Sequence, residues 1–252
     1  MRIALVGSTG QVGRRLEIFL RRVGHEVVGL SRANGWDMTV AGIEDPLTDR
    51  LAGTDAVVDV TNVISEDRDG TADFFTHVAR NVGRAATRAK VERTVVLSII
   101  GVDGLPDDAH YAGKYAQELA YRDHGPGVHV VRAAHFHQFA GMVVERGRDG
   151  ERAQVPDFPV QPVHLDVVVR ALSDAATGNL GVVSLDVAGP HVEQLPDLAA
   201  RLVRARGDEL DIVATPASPG LAAGACLAGP DALVSGPSFE EWLAIEHPAR
   251  IN

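Results

Sequence analysis

Gly7-Ser8-Thr9-Gly10-Gln11-Val12-Gly13 follows the apolar run Ile3-Ala4-Leu5-Val6 and leads into Val12 to Val23, a segment with helical periodicity. Glycines at the first, fourth and seventh positions of a strand-to-helix junction have a mechanical reading. The first permits the tight turn, the second lets backbone approach a pyrophosphate, and the third lets the helix pack closely on the sheet. The N–H groups exposed at such a helix start, aided by the helix dipole, favour a bound phosphate. Gly7, Ser8, Thr9, Gly10, Gln11, Val12 and Gly13 are therefore the first expected cofactor-binding residues.

Working outward, EVVGL (26–30), AVVDV (56–60), TVVLSII (94–100) and VHVVRAA (128–134) are further Val-rich runs of strand length, with helical patterns near 71–90 and 112–124. Continuous apolar strands alternating with helices predict an α/β protein, a Rossmann-type doubly wound parallel sheet. A nucleotide-binding core over 1–134 and a smaller C-terminal substrate lobe over 135–252, some of whose strands return to the core sheet, are expected. In the second half, Asp166 is expected to cap a helix from Val167 to about Ala176. VVSLDVAG (182–189) reads as a strand and Leu195 to Arg206 as an amphipathic helix. SFEEWL (238–243) reads as a last short helix that Phe239 and Trp242 staple to the core. An acid at the end of the second strand would hold an adenosine ribose 2′-hydroxyl, whereas a 2′-phosphate needs a cation. Here Leu30 is followed by Ser31 and Arg32, and a guanidinium fork suits a phosphate. The expected cofactor is NADP(H), with Ser31 and Arg32 at its 2′ end.

The 252 residues carry 24 Lys+Arg against 34 Asp+Glu, a formal charge of −10. That balance disfavours sequence-independent binding to nucleic acid, which needs a basic face. The single Cys226 excludes an internal disulfide and a thiolate metal cage, which fits a reducing cytoplasm. No export signal is expected where a strand begins at Arg2. The uncharged stretch around 217–230 carries too many Gly and Pro for a membrane-spanning helix. The expected protein is soluble and cytoplasmic. Its oligomeric state, a homodimer included, stays open.

Taken together, GSTGQVG (7–13), VVDVTN (57–62), VVLSIIGVDG (95–104), YAGKYAQE (111–118), VVRAAHFHQF (130–139), QPVHLDVV (161–168) and SFEEWL (238–243) resemble the NmrA-like group of atypical short-chain dehydrogenase/reductases. The segments keep the family's order over nearly the whole chain. The resemblance implies an NAD(P)H-binding fold, and members include NADPH-dependent quinone reductases, other reductases and catalytically silent redox sensors. It implies that Thr61 and Asn62 lie beside the cofactor and that Ser98 is a substrate-polarising hydroxyl. It also implies that Lys114 bonds the nicotinamide ribose and that Ala134, His135, Phe136 and His137 run along the substrate.

The chain departs from the superfamily's Tyr-x-x-x-Lys pair: four residues before Lys114 stands His110, and Tyr111 lies three before. Both spacings share a helix face. A tyrosine beside an ammonium has a lowered pKa and can deliver a proton, whereas a histidine donates or accepts near neutrality. A third reading leaves Lys114 as a ribose anchor and neither neighbour catalytic. Ser98 also has a plain reading, as a hydroxyl bonded to backbone. In an extended segment His135 and His137 aim one way and Phe136 the other; without a third ligand at good spacing they do not make a zinc site. GVDG (101–104) with PDD (106–108) reads as a mobile loop over the pocket entrance. The function expected is NADPH-dependent reduction of a quinone or other small carbonyl compound. The alternatives are a cofactor-binding redox sensor acting through a protein partner and a non-redox isomerase, dehydratase or cyclase.

Overall fold

The structure, a computed structural model, describes residues 1–63 and 67–248. The elements run β1 (Arg2–Val6), α1 (Gln11–Arg22), β2 (Glu26–Leu30), α2 (Glu44–Leu51), β3 (Ala56–Asp59), α3 (Arg68–Arg88), β4 (Arg93–Ile99), α4 (Ala109–His124) and β5 (Val128–Ala133). Then follow α5 (Phe139–Arg146), β6 (Arg148–Asp149), β7 (Arg152–Asp157), β8 (Pro159–Val160), α6 (Leu165–Thr177), β9 (Ser184–Ala188), β10 (Glu193–Gln194), α7 (Leu195–Arg206), β11 (Asp211–Pro216), α8 (Pro219–Ala222), β12 (Leu233–Val234) and α9 (Phe239–Glu246).

Among the described residues, seven strands form a parallel sheet in the order β12-β9-β5-β4-β3-β1-β2. The chain is thus α/β with a Rossmann-like sheet flanked by helices. β2 pairs with β1 in the register Arg2↔Glu26 to Val6↔Leu30, and β3 pairs on the other side from Ile3↔Ala56 to Val6↔Asp59. The order reverses between β1 and β3. In open α/β sheets the crevice outside the carboxyl ends of strands at such a reversal is where ligands bind. After β2 the chain makes a 3-10 turn over Arg32–Asn34 and reaches α2 without adding a strand, so β2 is the outer strand.

The chain divides into two compact units. The first comprises Met1–Arg132 and Val168–Leu185. Ile3, Ala4 and Leu5 of β1 and Ala56, Val57 and Val58 of β3 are fully buried, as strands covered on both faces must be. One face carries Ala4, Val6, Val28, Leu30 and Val57 against Leu47 and Leu51 of α2, Val78, Ala79 and Val82 of α3, and Tyr121 of α4. Asp59, two residues beyond Val57, points to that same face.

The second unit comprises Ala133–Val167 and Asp186–Asn252. Its β7 pairs in parallel with β11 and antiparallel with β6, and β8 pairs antiparallel with β10. Val144, Val155, Phe158, Leu198, Leu202, Phe239 and Trp242 belong to one core. Phe239 and Trp242 therefore do fix α9, whose start is closed by a capping box between Ser238 and Glu241.

Two local expectations are corrected. The sixth helix starts at Leu165, so Asp166 sits inside its first turn rather than at the cap. There its charge still complements the helix dipole. The segment after β4 is not a free loop. Val102 and Leu105 are buried, and Asp108 caps α4 by accepting from the N–H groups of His110 and Tyr111 at 2.9 and 3.3 Å. No helix among the described residues is long and apolar enough to cross a membrane.

Candidate functional site

β1 ends at the crevice where strand order reverses, and Gly7 is the first residue beyond it. Its φ of +84° is open to glycine at no steric cost. A Cβ there would lie 3.0 Å from Thr61 N and 3.1 Å from the Val60 carbonyl carbon, so Gly7 rests against the end of β3. Its N–H donates to Leu30 O at 2.8 Å, which ties the loop to β2 as well. At Gly13 a Cβ would overlap Gly7 O and stand 2.8 Å from both Ser8 Cα and Ser8 C. Gly13 thus lets α1 close on the glycine loop itself, where close packing on the sheet was expected. Ser8 and Val12 are buried, while Thr9, Gly10 and Gln11 form an exposed tip. α1 starts with no side-chain cap at Gly10 and no acid in its first turn. The first N–H groups of a helix have no intrahelical acceptor, and this start adds neither a side-chain acceptor nor a negative charge of its own.

At the end of β2, Ser31 is taken up by a turn: its N–H and hydroxyl donate to Asn34 Oδ1 at 2.8 and 3.2 Å, and Asn34 Nδ2 donates to Gly29 O at 3.0 Å. The turn leaves Arg32 exposed, and Arg32 forms no ion pair with another described residue. The nearest acid along the chain is Asp37. Hydrogen bonds from Thr39 Oγ1 at 2.7 Å and Thr39 N at 3.0 Å hold its carboxyl below the usual range, with a smaller contribution from Arg32.

Beneath the loop lies a buried polar network of which sequence reasoning had placed only Lys114 and Thr61. Asp59 is fully buried; its Oδ1 accepts from Thr61 N at 2.8 Å, and its Oδ2 accepts from Gln117 Nε2 at 2.8 Å and from the Tyr121 hydroxyl at 2.7 Å. Lys114, 4% exposed, donates through Nζ to Gln117 Oε1 and sits 4.8 Å from the Phe75 ring centroid. Burial lowers the Lys114 pKa to about 8, against the upward pull of Asp59 and Glu118. Burial also drives the Tyr121 phenol well above its ordinary value, reinforced by the Asp59 charge and hydrogen bond. Tyr121 is therefore fixed as a donor. Glu118, also fully buried, is held by Arg132 through two bonds of 2.9 and 2.7 Å and by Arg122 at 3.3 Å. Two signals in the sequence point to this network. An acid inside a Val-rich buried strand needs partners, and 114, 117 and 121 recur at spacings that share a helix face.

His110 and Tyr111 both lie in the first turn of α4. The His110 ring is 6.0 Å from the Phe75 ring, so His110 and Lys114 pack on one side chain. Tyr111 is buried, its ring 6.1 Å from that of His110. Ser98, 2% exposed near the end of β4, has a hydroxyl without a hydrogen-bond partner among the described residues. The backbone bond of its plain reading is absent, and an unsatisfied buried hydroxyl is costly unless a ligand completes it. Thr61 is half-buried and Asn62 exposed just beyond β3.

In the second unit Ala134 N donates to Val187 O at 2.8 Å. Phe136, half-buried, bridges to Val163. His135 lies against Phe139, 4.3 Å between centroids, and Phe158 at 5.8 Å. His137, 1% exposed, lies among His164, Phe239 and Trp242, with its Nε2 3.1 Å from Pro237 O. Burial pushes its pKa down to about 4, against that hydrogen bond, with His164 adding to the fall. The geometry thus gives His137 to packing. A neutral buried imidazole contributes stability that is complete above its unfolded value near 6.5 and is lost as pH falls through about 4. Unfolding measured from pH 7 to pH 4 is expected to lose up to about 3 kcal/mol on this account. His137→Phe should flatten that slope, and an unchanged slope would remove His137 as its source.

Among the described residues no group of His, Cys, Asp and Glu is arranged to hold a metal ion. No protein-family model and no curated protein matches the chain. Solved structures do. A dTDP-4-dehydrorhamnose reductase from Clostridium acetobutylicum superposes with a TM-score of 0.71 at 18% identity, over 96% of this chain and 92% of that one. The dTDP-4-dehydrorhamnose reductase of Bacillus anthracis, solved in complex with NADP, gives 0.71 at 16% identity, over 96% of each chain. The UDP-N-acetylglucosamine 4-epimerase of Bacillus cereus gives 0.71 at 16% identity, over 98% of this chain and 95% of that one. At such identities the likeness establishes the fold.

Proposed function

We propose that the chain binds NADP(H) and is an oxidoreductase that reduces a quinone or other small carbonyl compound, within the NmrA-like group its motifs resemble. The observation that carries this reading is the glycine loop. It closes without side chains against the end of β3 at the strand-order reversal and leaves the start of α1 uncapped. The residues fit the cofactor: Thr9 to Gln11 for the pyrophosphate, Arg32 for the 2′-phosphate, and Lys114 for the nicotinamide ribose. The NADP held by the Bacillus anthracis neighbour supports the same reading.

When bound, the nicotinamide supplies a hydride. The chain's own groups do the rest. Lys114 holds ribose hydroxyls with the two ammonium donors that Gln117 leaves free. Ser98 donates its unpartnered hydroxyl to the substrate oxygen. His110, which shares Phe75 with Lys114, delivers the proton to that oxygen, with Tyr111 as the other candidate. A quinone reduced by hydride leaves an electron-rich anion that water can protonate, so the missing Tyr-x-x-x-Lys register does not prevent that reaction.

Calorimetric titration with NADPH, NADP+ and NADH under one salt condition tests the cofactor. NADPH is expected to bind at least about tenfold more tightly than NADH, or about 1.4 kcal/mol. Arg32→Ala should erase most of that preference and leave NADH affinity unchanged. Failure of all three to bind the wild type would overturn the proposal. Substrate-dependent oxidation of NADPH over a panel of quinones and ketones tests the reaction. Tight binding, unequal for the oxidised and reduced forms and with no turnover, would favour the redox sensor instead.

A further inference from the structure

The chain contains two lysines, Lys90 and Lys114, against 22 arginines by difference from the 24 basic residues. Lys90 is exposed and Lys114 is buried. Arginine is the ordinary choice for a buried cation, because its guanidinium is weakly hydrated and pre-organised. Lysine differs in carrying a compact amine that can lose its proton. What surrounds this amine is correspondingly particular. Gln117 reaches Lys114 with its carbonyl oxygen and Asp59 with its amide nitrogen. A side-chain amide has one donating end and one accepting end. The Asp59 carboxylate therefore decides which way Gln117 points, since the reverse orientation would set oxygen against oxygen and nitrogen against ammonium. Asp59 is itself fixed by Thr61 N and the Tyr121 hydroxyl.

We propose that Asp59 and Gln117 are positioning residues for Lys114, a relay in which a buried carboxylate orients an amide and the amide orients the amine. Neither needs to touch cofactor or substrate. One of the three ammonium donors is committed to Gln117, which leaves two to be aimed elsewhere. Placing a neutral amide between carboxylate and ammonium keeps the amine releasable, where a direct buried ion pair would hold it. The groups facing the amine are Asp59 from β3, Gln117 and Glu118 from α4, and Phe75 from α3, with His110 on the other contact of Phe75. Glu118 is already paired with Arg132 and Arg122, and Tyr121 donates to Asp59.

This inference deepens the proposed function but is tested without cofactor. Protein labelled in its lysine side chains gives signals from two residues, and the Lys114 signal is followed against pH in the ligand-free chain. The wild type should titrate near 8. Asp59→Asn removes the charge that favours the ammonium, and Gln117→Met removes its acceptor. Each should lower the midpoint by about one pH unit, the usual size of a near-charge or hydrogen-bond effect. Tyr121→Phe weakens the same buried cluster but leaves the Gln117 clamp, so its midpoint should stay near 8 even as its melting temperature drops. Should Asp59→Asn fail to fold, Gln117→Met decides alone. Midpoints that stay near 8 in the foldable relay variants would make the network merely structural and overturn the relay. Failure of the wild type to bind any nicotinamide nucleotide would overturn the proposed function and leave the relay standing.

Discussion

Gly13→Ala is expected to destabilise the protein by about 3 kcal/mol or more, the range seen when a substitution forces backbone apart in a packed region. It is also expected to abolish binding at the glycine loop. The added methyl would overlap Gly7 O and press on Ser8 Cα and Ser8 C. These are backbone atoms, and they cannot rotate away as a side-chain tip would. Gly7 is in turn held by Leu30 O and abuts Val60 and Thr61. Relief would therefore have to move α1 off the end of β1. Gly10→Ala supplies the contrast. Gly10 has an ordinary φ of −74°, and a Cβ there meets only Gly7 O, at 3.3 Å. That variant should keep most of the wild-type stability and still bind nucleotide more weakly, because its methyl stands at the exposed tip. Denaturant unfolding and nucleotide titration of both variants check this pair. Equal stabilities would mean that the loop closes in some other way.

Lys114→Met is expected to stabilise the protein while removing the amine proposed to hold the ribose. The Lys114 pKa is about 8 in the folded chain and near 10.5 in the unfolded one, so the folded state binds this proton less tightly. At pH 7 the buried charge then costs about 3 kcal/mol by linkage. Methionine of similar length escapes that cost but leaves Gln117 Oε1 without its donor, a loss of about 1 kcal/mol. A net gain of about 2 kcal/mol remains. The sign of its pH dependence follows. A wild-type lysine with a depressed pKa gains stability as pH rises from about 8 past 10, so the gap between variant and wild type should close over that range. Unfolding at pH 7, 9 and 10 gives the comparison. A variant less stable at pH 7, or a gap that ignores pH, would contradict the account of Lys114 as a destabilising group kept for use.

Much of the first unit was legible because its signals are local. The glycine spacing and the Val-rich runs each depend on a few consecutive residues. The observed β2 coincides with EVVGL and, in the second unit, the observed α7 with Leu195 to Arg206. Elements whose burial depends on distant chain were harder to see. α2 is mostly polar apart from Leu47 and Leu51, and α5, Phe139–Arg146, falls where no helix was expected. The short strands β6 to β8 carry two to six residues each, too few to show a period. Within the site the same division holds. Lys114 announced itself by a familiar pattern, whereas Asp59, Gln117 and Tyr121 come together only when β3 meets α4. Their pairings join residues 56 to 62 positions apart.

That long-range pairing has a further consequence for assembly of the sheet. Small residues such as Ala79, Gly83, Ala86, Gly113 and Ala120 occupy many of the buried positions of α3 and α4, and Phe75 and Thr71 of α3 fit against Gly113, where a Cβ would lie 2.8 Å from each. One helical turn is about 5.4 Å of travel. Displaced by that amount, α4 would lose the fit at Gly113 and also strand Asp59, Gln117 and Tyr121 without partners, each at the cost of an unmet polar group. The polar cluster thus works as a dowel pin: hydrophobic burial holds the two parts together, and the hydrogen bonds fix where along each other they stop.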